Sequence, residues 1–219
     1  MQKAATICSI NDKRIQLLSY YQCHKEFSLD QILERTNFKQ DKSDIYFLKA
    51  VIAAKNKAYS IAIDYFYHCI YKHVDDTLSY LLLADILYKT RRPFEALSIL
   101  KTSLAPCKHH HRLTNSMGIG LRHIQSNQKA AYYFLQSIEK RPHYLPALDN
   151  LIQLYLDEKN YHLAIPLLKR KLLLQPKRKS IIKKIGYCYL QIGSAKEAIA
   201  WYKKHAYFYK SEPIKKKFN

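Results

Sequence analysis

Through most of the chain, apolar residues recur at spacings of three and four, the pattern of helices that bury one face. The stretch NYHLAIPLLKRKLLLQP, Asn160 to Pro176, shows it: a helix-start residue, an apolar stripe, a proline inside (Pro166) and a proline at the end. The same design stands one stride upstream, in SNQKAAYYFLQSIEKRP from Ser126, and one equal stride downstream, in SAKEAIAWYKKHAYFYK from Ser194. Pro166 admits two readings: a helix that continues with a kink or a broken hydrogen bond, or a helix that starts later, near Leu163.

A fixed period signals a repeat architecture. Units drawn at 43–76, 77–110, 111–144, 145–178 and 179–212 need no insertion or deletion. Position 20 is then Ala62, Ala96, Ala130, Ala164 and Ala198; position 24 is Phe66, Leu100, Phe134, Leu168 and Tyr202. Position 8 is Ala50, Ala84, Gly118, Ile152 and Gly186, and position 11 is Ala53, Leu87, Leu121, Tyr155 and Tyr189. Small residues at 8 and 20 let two antiparallel helices approach, and large ones at 11 and 24 fill the space beside them. A bulkier side chain at Ala164 or Ala198 overpacks that contact, at about 1–3 kcal/mol.

Over residues 43–212 this pattern resembles the tetratricopeptide repeat family, with its 34-residue units, small residues at 8 and 20, aromatics at 11 and 24 and proline at 32. Val74, Lys108 and Lys210 replace that proline, and Ile152 departs at position 8. The resemblance implies an all-α, right-handed α-α superhelix of antiparallel helix pairs. Residues 1–42 carry helical pattern without the repeat signature, and read as a divergent capping hairpin, Ile10–His24 and Leu29–Asn37, with a capping box at Ser28–Gln31. Residues 213–219 form a basic tail. The last helix offers Trp201, Tyr202, Tyr207 and Phe208 as an aromatic face for self-association; a tail folded back over it, or a frayed last turn, is the alternative.

Composition narrows the function. The sequence has 4 Gly in 219 residues, which argues against glycine-rich phosphate loops. The five cysteines are odd in number without a CxxC pair, so a reducing compartment is expected, and no apolar run is long enough to cross a bilayer. We expect a cytoplasmic or nuclear protein. No catalytic motif is present, and no enzymatic activity or cofactor is expected. Gly118-Ile119-Gly120 is a lone GxG inside a helix. Cys107, His109, His110, His111 and His123 have metal-binding chemistry, but consecutive histidines point apart, and a polar turn without metal is the expectation.

The net charge is +20, and residues 169–219 hold 15 Lys+Arg against two acids. This charge favours acidic partners, with a solvated convex face as the alternative. In the family resembled, positions 2, 5, 9, 12 and 13 face a concave groove that takes peptides or partner helices. Carried over, they include Lys55, Asp85, Tyr88, Lys89, Arg112, Asn115, Arg122, His123, Asp149, Gln153, Lys183 and Tyr187. The clamp of co-chaperones that grip a C-terminal carboxylate maps onto Asn115, Ile119, Asn150, Ser180 and Lys184; only Asn150 and Lys184 fit in kind, so that role is not expected. The expected function is a non-catalytic protein–protein scaffold or adaptor binding an acidic peptide or helix. A basic nucleic-acid-binding repeat protein, or a homodimerising subunit of a large assembly, is the alternative.

Overall fold

The computed structural model describes residues 2–23, 31, 42–107, 110–176 and 178–206, with side chains from residue 10 onward. All regular structure among the described residues is helical. The order is α1 (Gln2–Cys23), α2 (Lys42–Lys55), α3 (Tyr59–Lys72), α4 (Thr77–Lys89), α5 (Pro93–Ser103), α6 (His111–His123), α7 (Asn127–Lys140), α8 (Leu145–Asp157), α9 (Tyr161–Leu174), α10 (Lys179–Gln191) and α11 (Ala195–Lys204). The chain forms two compact units, Met1–Lys140 and Arg141–Asn219.

In each unit, consecutive helices pack in pairs: α2 on α3, α4 on α5 and α6 on α7 in the first, α8 on α9 and α10 on α11 in the second. The second helices of the pairs start at a constant stride, at Tyr59, Pro93, Asn127, Tyr161 and Ala195, which is the period of the sequence pattern. All five alanines at position 20 are buried, as are Phe66, Leu100, Phe134 and Leu168. Gly118 shows what the small residue is for: a Cβ there would lie 2.5 Å from the Phe134 ring. At Gly186 a Cβ would run into the Tyr202 ring.

One turn joins the helices of every pair. Lys57, Arg91, Gln125, Lys159 and Gly193 all take positive φ, between 57° and 78°. After each of them the next N–H reaches back to the carbonyl five residues earlier: Ala58 to Ala53, Arg92 to Leu87, Ser126 to Leu121, Asn160 to Tyr155 and Ser194 to Tyr189, at 2.7–2.9 Å. This is the helix-ending bond of the Schellman motif, which satisfies carbonyls the helix leaves free.

The same turn decides the Pro166 question. The bonds Asn160 N–H to Tyr155 and Ala164 N–H to Asn160 organise the first turn, so α9 starts at Tyr161 rather than near Leu163 and contains Pro166. Proline removes one donor from that helix. Asn160 sits at the start without capping it; its amide donates to Glu158 instead, at 3.3 Å.

At the N-terminus α1 begins at Gln2, earlier than the expected Ile10. The expected second helix, Leu29–Asn37, and the capping box lie outside the described residues except for Gln31. α1 packs on both α2 and α4 through a buried charge cluster. Arg14 is fully buried; it donates from Nη1 to Asp44 at 2.6 Å and to the Ser43 carbonyl at 3.0 Å, from Nη2 to Ser43 Oγ at 3.0 Å, and from Nε to Asp76 at 3.1 Å. Its guanidinium also lies 4.7 Å from the centre of the Phe47 ring. Asp76 is shared: it also caps α4 through the Ser79 N–H at 3.1 Å and hydroxyl at 2.7 Å.

Candidate functional site: the helix faces carrying Lys55, Lys89 and Tyr88

In the unit Met1–Lys140, α2 and α4 bring Lys55 and Lys89 to the rim of one recess of about 210 Å³. Its lining includes Val51 and Ala54 from α2, Leu82 and Ile86 from α4, Phe66 from α3 and Leu18 from α1. Lys55 is exposed, with its Nζ 5.1 Å above the Tyr21 ring of α1. Lys89 donates to Asp85 one helical turn back at 2.6 Å, and that carboxylate favours its charged form and raises its pKa.

Tyr88 ties α4 to α6. Its hydroxyl donates to the Ser116 carbonyl at 2.7 Å, and its ring stacks on His123 with centroids 5.3 Å apart. Burial pushes its phenol up to about 12, so it is neutral in the physiological range. Gly120 makes room for it, since a Cβ there would lie 2.5 Å from the Tyr88 hydroxyl. Both glycines of the GxG thus have a packing task, Gly118 beneath Phe134 and Gly120 beneath Tyr88.

Arg112 and His123 are exposed and Arg122 is half-buried. Asn115 is 6% exposed, on the stretch of α6 that Tyr88 grips through Ser116. Sequence alone could not place Tyr88 across that stretch.

In the unit Arg141–Asn219, Lys183, Lys184 and Tyr187 are exposed on α10, and Asn150 is half-buried on α8. The Tyr187 ring meets Tyr161 edge to face, with centroids 6.1 Å apart. Lys169 stands 5.4 Å from the Tyr189 ring centre and 5.8 Å from that of Trp201. Trp201 and Tyr202 are half-buried. Trp201 Nε1 donates to the Ile182 carbonyl at 3.1 Å and Tyr202 to the Lys183 carbonyl at 3.3 Å, so both fasten α11 to α10. Tyr207, Phe208 and the tail 213–219 lie outside the described residues.

His110 and His111 stack with centroids 5.3 Å apart, and His109 lies outside the described residues. Among the described residues no three His, Cys, Asp or Glu side chains gather as metal ligands. Burial raises the pKa of Cys69, to about 12, and of Cys107 and Cys188, which keeps these thiols protonated. No described helix is long and apolar enough to cross a membrane.

No protein-family model matches the chain, and no curated protein matches its sequence. Solved structures do match its fold. A crystal structure of MamA protein superposes with a TM-score of 0.66 at 18% identity, covering 81% of this chain and 96% of that one. A MamA RS-1 ArsTM double mutant gives 0.64 at 14% identity, covering 78% and 96%. MamA AMB-1 gives 0.61 at 21% identity, covering 79% and 94%. The likeness is one of fold: helical repeats packed in consecutive pairs.

Proposed function

We propose that the chain is a tetratricopeptide-type repeat protein, with units at 43–76, 77–110, 111–144, 145–178 and 179–212, acting as a non-catalytic scaffold or adaptor. It binds an acidic peptide or partner helix along the first helices of its pairs. The MamA-like fold supports the scaffold reading. The observation that carries the ligand chemistry is the placement of Lys55 and Lys89 on one mostly apolar recess, with Tyr88 beside Lys89 and stacked on His123, and Arg112 exposed at the other end of α6. Lysine and arginine give charge-assisted hydrogen bonds to carboxylates, and helices packed in advance of binding reduce the ordering cost.

The test is affinity purification from the native source, with bound proteins identified and eluted across a salt series. Retention of defined acidic proteins, weakened only in part by salt, supports the scaffold. Absence of any specific partner contradicts it.

A second reading is favoured by the other unit. Lys169 over two aromatic rings, with exposed Lys183, Lys184 and Tyr187, has the makings of a single-stranded nucleic-acid surface. Such binding falls steeply and linearly in log affinity against log salt. A flat response to salt rules it out.

A further inference from the structure

The recess between α1, α2 and α4 is more specific than a charged stripe. Repeat helices alone do not close it, because one side is Leu18 of α1. α1 is held there by the buried Arg14 bonds to Asp44 and Asp76 and by Leu17 and Tyr21, which cluster with Leu48. The wall is therefore a fixed part of the site.

The walls of the recess are mostly apolar, with Leu18, Val51, Ala54, Leu82, Ile86 and Phe66, and Tyr59 adds one phenol. Its volume of about 210 Å³ is below the ~300–1,000 Å³ of typical cofactor and drug-sized pockets, and suits a single side chain. The rim is charged, with Lys55 and Lys89 against Asp85. Asp85 pairs with Lys89, while among the described residues no carboxylate is bonded to Lys55, whose ammonium lies over the Tyr21 ring. An apolar hole under a net positive rim selects a bulky apolar group beside a carboxylate.

We propose that this recess is an anchor pocket: it takes one leucine, phenylalanine or tryptophan side chain of an acidic partner segment, whose neighbouring carboxylate pairs with Lys55. The inference rests on the scaffold reading and adds the anchor to it. Buried anchors of this kind carry most of the affinity in many interfaces.

The experiment uses the full chain and two labelled synthetic peptides. One is a short run of aspartate and glycine with a single central tryptophan; the other has alanine in its place. Fluorescence anisotropy should show the tryptophan peptide binding at least about tenfold more tightly. Ala54→Leu, which fills the recess, should remove that preference. Lys55→Glu should weaken both peptides. A third peptide, with a photoreactive benzophenone at the anchor position, keeps the test independent of variant folding. On the unmodified protein it should cross-link to Leu18, Val51, Ala54 or Leu82. Equal affinities for the first two peptides, a preference that survives Ala54→Leu, or cross-links confined to other helices each overturn the anchor pocket. Binding of the alanine peptide alongside any of these leaves the acidic-groove reading standing. Failure of every peptide to bind overturns both.

Discussion

Arg14 and Asp76 meet with no exposed surface on either residue, the Nε–H of one donating to the carboxylate of the other at 3.1 Å across 62 positions of chain. Asp44 completes the pair as a second carboxylate. Removing one partner of a buried ion pair leaves a charge without compensation, which costs about 3–5 kcal/mol. Arg14→Ala should lower unfolding stability by that order in a urea titration. Arg14→Lys should recover little, since one ammonium cannot reproduce the guanidinium's bonds to Ser43, Asp44 and Asp76 together. A loss below about 1 kcal/mol would show that the cluster is better solvated than its burial implies.

Gly118 offers a test of the helix contact within a pair. Alanine in a helix is ordinarily favoured over glycine by about 1 kcal/mol. Here the added methyl meets the buried Phe134 ring at 2.5 Å, so Gly118→Ala should destabilise by about 1–3 kcal/mol. Combining it with Phe134→Leu should give a total loss smaller than the sum of the two single changes, read from thermal melts of all four proteins. Strict additivity would mean the two residues do not share the space.

The repeated turn gives a cleaner backbone test. Gly193 has φ +78°, and a Cβ added there would meet nothing within 4 Å, so Gly193→Ala acts through conformation alone and should cost about 1 kcal/mol. Gln125 holds φ +57° at the equivalent place, and Gln125→Gly should stabilise by up to about the same amount. Melting temperatures should therefore move in opposite directions. Movement in the same direction would refute a shared strain.

His110 makes stability depend on pH. Burial, then the nearby positive groups of His111, Arg112 and Lys140, lower its pKa from 6.5 to about 4. Between those values the unfolded chain binds a proton that the folded chain does not, so stability falls as pH drops from 6.5 toward 4. Denaturation of the parent and of His110→Gln across that window should show a shallower loss in the variant. Parallel curves would mean that His110 titrates alike in both states.

The sequence exposed the parts of the fold that depend on a short, repeated choice of size. Gly118 with Phe134 and Gly186 with Tyr202 share one spacing, from position 8 to position 24 of their units, and each pair answers a small residue with a large one. The Arg14 cluster was not legible, because its partners lie 29 to 62 residues away and nothing in the local pattern of α1 distinguishes a buried arginine from a solvated one. The turn geometry was hidden for another reason: Lys57, Arg91, Gln125 and Lys159 stand where glycine would have advertised positive φ. For the candidate site, Lys55, Tyr88 and Lys89 came from the groove positions that the family resemblance implies, while the burial of Asn115 and the inward bonds of Trp201 and Tyr202 depended on side-chain direction. The recess itself required α1, whose docking follows no repeat rule.

The most direct test of the scaffold account compares two charge-reversed proteins as bait in the native lysate. One carries Lys55→Glu, Lys89→Glu and Arg112→Glu; the other carries Lys196→Glu, Lys203→Glu and Lys204→Glu on α11. Both lose the same net charge. The account predicts that acidic partners retained by the parent and by the α11 variant are lost from the first. Retention of the same partners by both variants, or their equal loss from both, would contradict it.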